Sequence, residues 1–198
     1  MVQDLGRLKE SASQTGGPYV HIGCTPNFCG IDGIYDQDLG AFVAGPGVPG
    51  TRISISGQIF DGTGTPLRDA LIEIWQADGR GRYPPATPDG FTGFGRCPTD
   101  LATGEYRFET IKPGPVPFKD GRPMAPHITF WIAARGINIG LQTRLYFPDE
   151  ADANKADPML GRIEHQNRVP TLIAKGEMPH YRFDIRLQGP DETIFFDI

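Results

Sequence analysis

Between Lys112 and Pro126 the chain places five prolines in fifteen residues and then runs straight into the apolar stretch HITFWIAA. Proline fixes φ and removes a backbone donor. Pro113, Pro115, Pro117, Pro123 and Pro126 therefore define a stiff loop that continues no helix and is expected to join no sheet ladder, with a strand opening at His127. The same punctuation recurs along the whole chain. Its 26 glycines and 19 prolines fall between short runs of β-branched and aromatic residues, a distribution that predicts many strands joined by sharp turns.

The runs themselves alternate. Ile53, Ile55 and Ile59 mark one strand, Asp61-Gly62 a turn, and ALIEIWQA at Ala70 to Ala77 a second strand expected to pair with or lie near the first. Further strands are predicted at Glu105 to Ile111, His127 to Ala134, Leu141 to Phe147, Tyr181 to Leu187 and Thr193 to Asp197, about seven in all. Asp149 to Lys155 and Thr171 to Lys175 can each make a helical turn or two. The expected fold is all-β, a β-sandwich of prealbumin/Ig-like, Greek-key-like character with an irregular N-terminal arm and short helical turns. Residues 1–50 read as arm and irregular loops packed on a partner, and residues 51–198 as the sandwich.

A chain of 198 residues is long enough to bury a full core, and a formal charge of -5 with no basic stripe excludes a phosphate-reading nucleic-acid binder. No apolar run approaches a membrane span. Three cysteines, Cys24, Cys29 and Cys97, form neither a disulfide framework nor a paired metal motif. With charges in the first ten residues where a leader's apolar core would stand, a reduced cytoplasmic setting is expected.

His127 is the best metal-ligand candidate, because it opens a strand under a rigid loop. A His-x-His pair would put two imidazoles on one strand face, but Thr129 stands two residues on. His21, His165 and His180 have no chelating neighbours at short spacing. Tyr106, Tyr146 and Tyr181 sit in strand patterns as packing residues, whereas Tyr83 follows a glycine-arginine turn. No phosphate loop, nucleophile elbow or His-Glu-x-x-His occurs. Arg135, eight positions beyond His127, lies roughly 26 Å away along a straight strand. It either makes a surface ion pair or faces a pocket completed by another chain, where its planar fork would suit a carboxylate.

Five stretches together resemble the intradiol ring-cleavage dioxygenases: ISGQIFDGTGTPLRDALIEIWQADGRGRY at Ile55 to Tyr83, TIKPGPVPF at Thr110 to Phe118, APHITF at Ala125 to Phe130, ARGINIGLQTRLYF at Ala134 to Phe147, and YRFDIRLQG at Tyr181 to Gly189. Catalytic members of that family hold Fe(III) with two tyrosines and a His-x-His pair. At the matching positions this chain has Val116 for one tyrosine and Thr129 for the second histidine. No tyrosine occurs in the Pro84 to Gly95 segment where the other belongs, and Phe118 and Lys119 replace a tryptophan and an arginine. Only His127 is kept.

The resemblance therefore implies a chain that binds no metal itself, with Val116, His127 and Thr129 as a vestigial site. It further implies pairing with a homologous beta subunit in an αβ heteromer of higher order. The Fe(III) would be bound by that partner, and the substrates would be a small aromatic acid and O2. Carried over by position, this chain's share of the partner's pocket is Thr15, Gly17, Pro18, Tyr19 and Arg135. Two alternatives stay open: a self-sufficient dioxygenase using His127 with Tyr83 and Tyr19, and a non-catalytic β-sandwich carrier or adaptor.

Overall fold

Two antiparallel-rich sheets face each other in a computed structural model that describes residues 15–17, 19–85 and 90–197. A five-residue helix, α1 (Val20–Cys24), leads through irregular chain to β1 (Arg52–Phe60), β2 (Leu71–Trp75), β3 (Phe94–Pro98) and β4 (Glu105–Ile111). The proline loop holds β5 (Val116–Pro117) and β6 (Pro123–Met124). Then come β7 (His127–Ala133), β8 (Leu141–Tyr146), helix α2 (Ala151–Ala156), β9 (Lys175–Glu177), β10 (His180–Arg182) and β11 (Ile185–Arg186).

β1 is the spine of the first sheet. It pairs antiparallel with β4 on one side and parallel with β10 and then β11 on the other, with β9 beyond β10. The second sheet runs β3-β2-β7-β8, all antiparallel. Ile53, Ile55 and Ile59 from β1 and Ile72, Ile74, Ile128, Phe130 and Ile132 from the second sheet fill the space between. Burying each such side chain contributes roughly 1.5–3 kcal/mol. Tyr106, Phe108, Phe130 and Phe183 pack tilted or edge-on at the centre, and the Tyr106 hydroxyl donates to the Phe183 carbonyl. Val43, Ala44 and Val48, from the stretch before β1, join the same core.

The structure corrects several expectations. β1 and β2 do not pair. Asp61 gathers the backbone N–H groups of Thr63 and Thr65 into a turn, and the chain then crosses to the opposite sheet, where β2 lies between β3 and β7. The predicted strand Tyr181 to Leu187 is interrupted after Arg182. The Phe183 carbonyl is taken by Tyr106, and the Gln58 N–H is taken by the Asp184 carboxylate instead of a ladder carbonyl. Gly57 makes this crossing possible, since a Cβ there would overlap the Phe183 carbonyl.

Residues 193–197 form no strand, because their polar groups go to separate partners: Thr193 to Arg186, Ile194 to Thr171 and Phe196 to Gln142. The proline loop does contain a short ladder. Val116 faces Met124 and Pro117 faces Pro123, closed by Phe118 N–H to the Arg122 carbonyl, so the missing proline donors fall where no ladder bond is needed. β3 and β9 were not foreseen. The helical turn expected at Thr171 to Lys175 instead lies at Gln166–Leu172 and is 3-10.

Candidate functional site

The two groups of residues singled out in the sequence sit toward opposite ends of β7, whose six steps span about 20 Å. At the Ala133 end, the Thr15 hydroxyl accepts from the Gly136 N–H at 2.9 Å and donates to the Ala134 carbonyl at 3.2 Å. Arg135 is the residue between those two anchors. A Cβ on Gly16 would touch Val20 and Ala133, so the arm's backbone lies directly against the strand end. Gly17 has φ of +72°, a left-handed turn that suits glycine. Tyr19, the residue before α1, is 75% exposed. The structure thus brings Thr15, Gly17 and Tyr19 to the same edge as Arg135. Pro18 lies outside the described residues.

The Arg135 guanidinium makes a 3.0 Å ion pair with Asp69, its side chain 67% exposed and that of Asp69 13%. Such a pair contributes at most about 1 kcal/mol, and a guanidinium has five donors, so Asp69 orients the fork without consuming it. Asp69 escaped the sequence reading because it reaches Arg135 from the β1–β2 connection, 66 positions earlier in the chain.

At the other end, His127 is buried, and its Nδ1 donates to the Ala125 carbonyl at 2.8 Å. Burial, reinforced by the positive charge of Arg144, lowers its pKa to about 4, which keeps the ring neutral at pH 7. Tyr146 is its register partner on β8, with ring centroids 5.6 Å apart. Burial, with Asp157 adding to it and Arg144 opposing, pushes the Tyr146 hydroxyl up to about 12. Asp157 accepts from the backbone N–H groups of Ala125, Met159 and Leu160 and so ties the loop after α2 to the strand's entry. Arg144 is the register partner of Thr129. Its guanidinium lies against the Tyr146 hydroxyl without closing a well-formed hydrogen bond, and contacts the Met124 sulfur at 3.6 Å. Tyr83 stacks on Trp75, whose register partner is also Thr129, with centroids 5.8 Å apart.

These residues do not fit Fe(III). Val116 supplies a buried alkyl group, Thr129 a neutral hydroxyl, and His127 one imidazole, while Arg144, the register partner of Thr129, brings a positive charge close enough to His127 to disfavour a further cation. Among the described residues no group of three or more His, Cys, Asp and Glu converges on one point. The alternative set of His127, Tyr83 and Tyr19 is not brought together, because Tyr19 adjoins the far end of β7. Arg144 went unnoticed in the sequence, where Tyr146 reads as a packing residue only. The available signal was the period of two in LQTRLYF, which sets Arg144 and Tyr146 on one strand face.

With this geometry in view, comparison with known proteins places the chain in a class. A family model described as Dioxygenase matches residues 24–189, and the chain belongs to this family, the intradiol dioxygenases. It is 48% identical over 196 residues to the protocatechuate 3,4-dioxygenase alpha chain of Pseudomonas putida, covering 96% of this chain and 97% of that one. It is 36% identical to the protocatechuate 3,4-dioxygenase beta chain of Burkholderia cepacia, over 81% of this chain and 75% of the relative. Among solved structures, the dioxygenase domain of a dioxygenase carbohydrate-binding protein fusion from Streptomyces sp. SirexAA-E superposes with a TM-score of 0.57 at 27% identity, covering 82% of this chain and all of that one.

Proposed function

We propose that this chain is the iron-free alpha subunit of a protocatechuate 3,4-dioxygenase, working in the cytoplasm in an αβ heteromer of higher order with a homologous beta subunit. The near full-length likeness to an alpha chain carries this reading. The Fe(III) is held by the partner, where it supplies the activation of the catechol toward O2, and the product is 3-carboxy-cis,cis-muconate.

The share of this chain is positional and electrostatic. Thr15, Gly17 and Tyr19 close one side of the partner's pocket against water, and Arg135 receives the substrate's carboxylate. Asp69 steadies the guanidinium, and the Thr15 hydroxyl holds the turn that carries it. A charge-assisted contact of this kind contributes about 1.5–3 kcal/mol when shielded from water. Within residues 1–50, the side chains of Phe28, Ile31, Ile34, Tyr35, Leu39 and Phe42 are exposed although large and apolar, which supports their covering by the partner.

Co-expression with a homologous chain that keeps tyrosine at the Val116 position and histidine at the Thr129 position tests the assignment. The pair is expected to co-purify with iron in one chain per pair and to cleave protocatechuate. Turnover by this chain alone would overturn the reading.

A further inference from the structure

Arg135 is held at both ends. The Thr15 hydroxyl fixes the backbone on either side of it, and Asp69 reaches its guanidinium from the β1–β2 connection at 3.0 Å. The two members of this pair are unequally placed, because the guanidinium is mostly exposed and the carboxylate largely buried. Aspartates that shape the local chain gather backbone N–H groups, as Asp61, Asp78 and Asp100 do. Among the described residues the Asp69 carboxylate gathers none, and Arg135 is its one ion-pair partner. Its contribution is therefore its charge, set beneath an exposed guanidinium.

We propose that Asp69 decides which acids Arg135 accepts, admitting an aromatic monocarboxylate and rejecting an aromatic dicarboxylate. This rests on the reading that Arg135 faces the substrate's carboxylate, and it adds the residue that limits the ligand's charge. The pair itself sums to no net charge. A single carboxylate still binds, since Asp69 engages one terminal nitrogen of the fork and the remaining N–H groups stay available for directional hydrogen bonds. A second carboxylate on the ring meets no further cation from this pair. It is repelled by the Asp69 charge, which solvent screens weakly because the carboxylate is largely buried.

The test is calorimetric titration of the protein assembled with its homologous partner, at a pH where both probes are fully ionised. The probes are benzoate and phthalate, which differ by one carboxylate and carry no catechol oxygens, so binding is read without turnover. Wild type is expected to bind benzoate at least about tenfold more tightly than phthalate. Asp69→Asn keeps the shape and removes the charge, and it is expected to bring the two affinities within about threefold by tightening phthalate. A gain in affinity is not a result that a misfolded variant can give. Asp69→Glu, which keeps the charge, is expected to retain the preference. Arg135→Ala separates the two readings: benzoate binding unchanged in that variant overturns the Arg135 assignment and the Asp69 proposal with it. With benzoate weakened by Arg135→Ala, phthalate affinity unchanged in Asp69→Asn overturns the Asp69 proposal alone.

Discussion

The two ends of β7 carry the same kinds of residue and treat them in opposite ways. At the Ala133 end an arginine is exposed, held by one weak ion pair and framed by a hydroxyl clip, so its charge points outward. At the His127 end an arginine lies part-buried beside Met124 and Phe196, and burial together with this charge keeps His127 neutral. The lesson is that a chain can leave the chemistry of its fold through packing rather than unfolding. The sandwich and the entry to β7 are intact, but an alkyl group at Val116 and a hydroxyl at Thr129 stand at two of the positions where the family resemblance places ligands.

The largest effect expected concerns the buried end. The folded pKa of His127, about 4, lies below its ordinary value of 6.5. Stability is therefore full above pH 6.5 and falls as the pH drops through the window to 4, because the unfolded chain takes up the proton first. The loss integrates to about 3 kcal/mol at about 1.4 kcal/mol per unit. Urea unfolding of wild type and His127→Gln across that window measures it. A slope equally steep in the variant would assign the acid sensitivity to other groups.

At the exposed end, Arg135→Ala is expected to raise KM for protocatechuate about ten- to a hundredfold in the assembled enzyme, matching loss of one charge-assisted contact, with iron content and assembly unchanged. Steady-state kinetics beside a metal assay decide the matter, and an unaltered KM would leave Arg135 as a surface ion pair only. A smaller effect is expected for Thr15→Val, which keeps the shape but removes both hydrogen bonds: a rise of a few-fold in the same KM, with thermal stability lower by about 1 kcal/mol. Thr15→Ser should restore both. Failure of serine to do so would show that the methyl group, not the hydroxyl, sets the turn.

Much of this contrast was open to reading in the chain. The alternation of Ile53, Ile55 and Ile59 marked β1, and Glu105 to Ile111 matched β4 residue for residue, because half-buried strands repeat every two residues. The solitude of His127 and the separation of Arg135 from it also followed from strand period and rise. What stayed hidden depended on partners distant in sequence. Nothing near Tyr181 to Leu187 announces that Asp184 and Tyr106 will intercept two ladder bonds, and nothing in β7 names Arg144 as the neighbour of Thr129. The apolar pattern at Thr193 to Asp197 resembles a strand, yet it serves a tail that bridges from β11 to β8.

The Thr15 clip has one more consequence. Because its hydroxyl engages Ala134 and Gly136 within this chain, the residues it orders have lost their conformational freedom before any encounter with a second molecule. Docking against this edge then carries no ordering step for that part of the arm, a saving of roughly 1–2 kcal/mol for each backbone residue already held. Association here would accordingly follow simple second-order kinetics, its rate set by collision and orientation instead of by the folding of a loose tail.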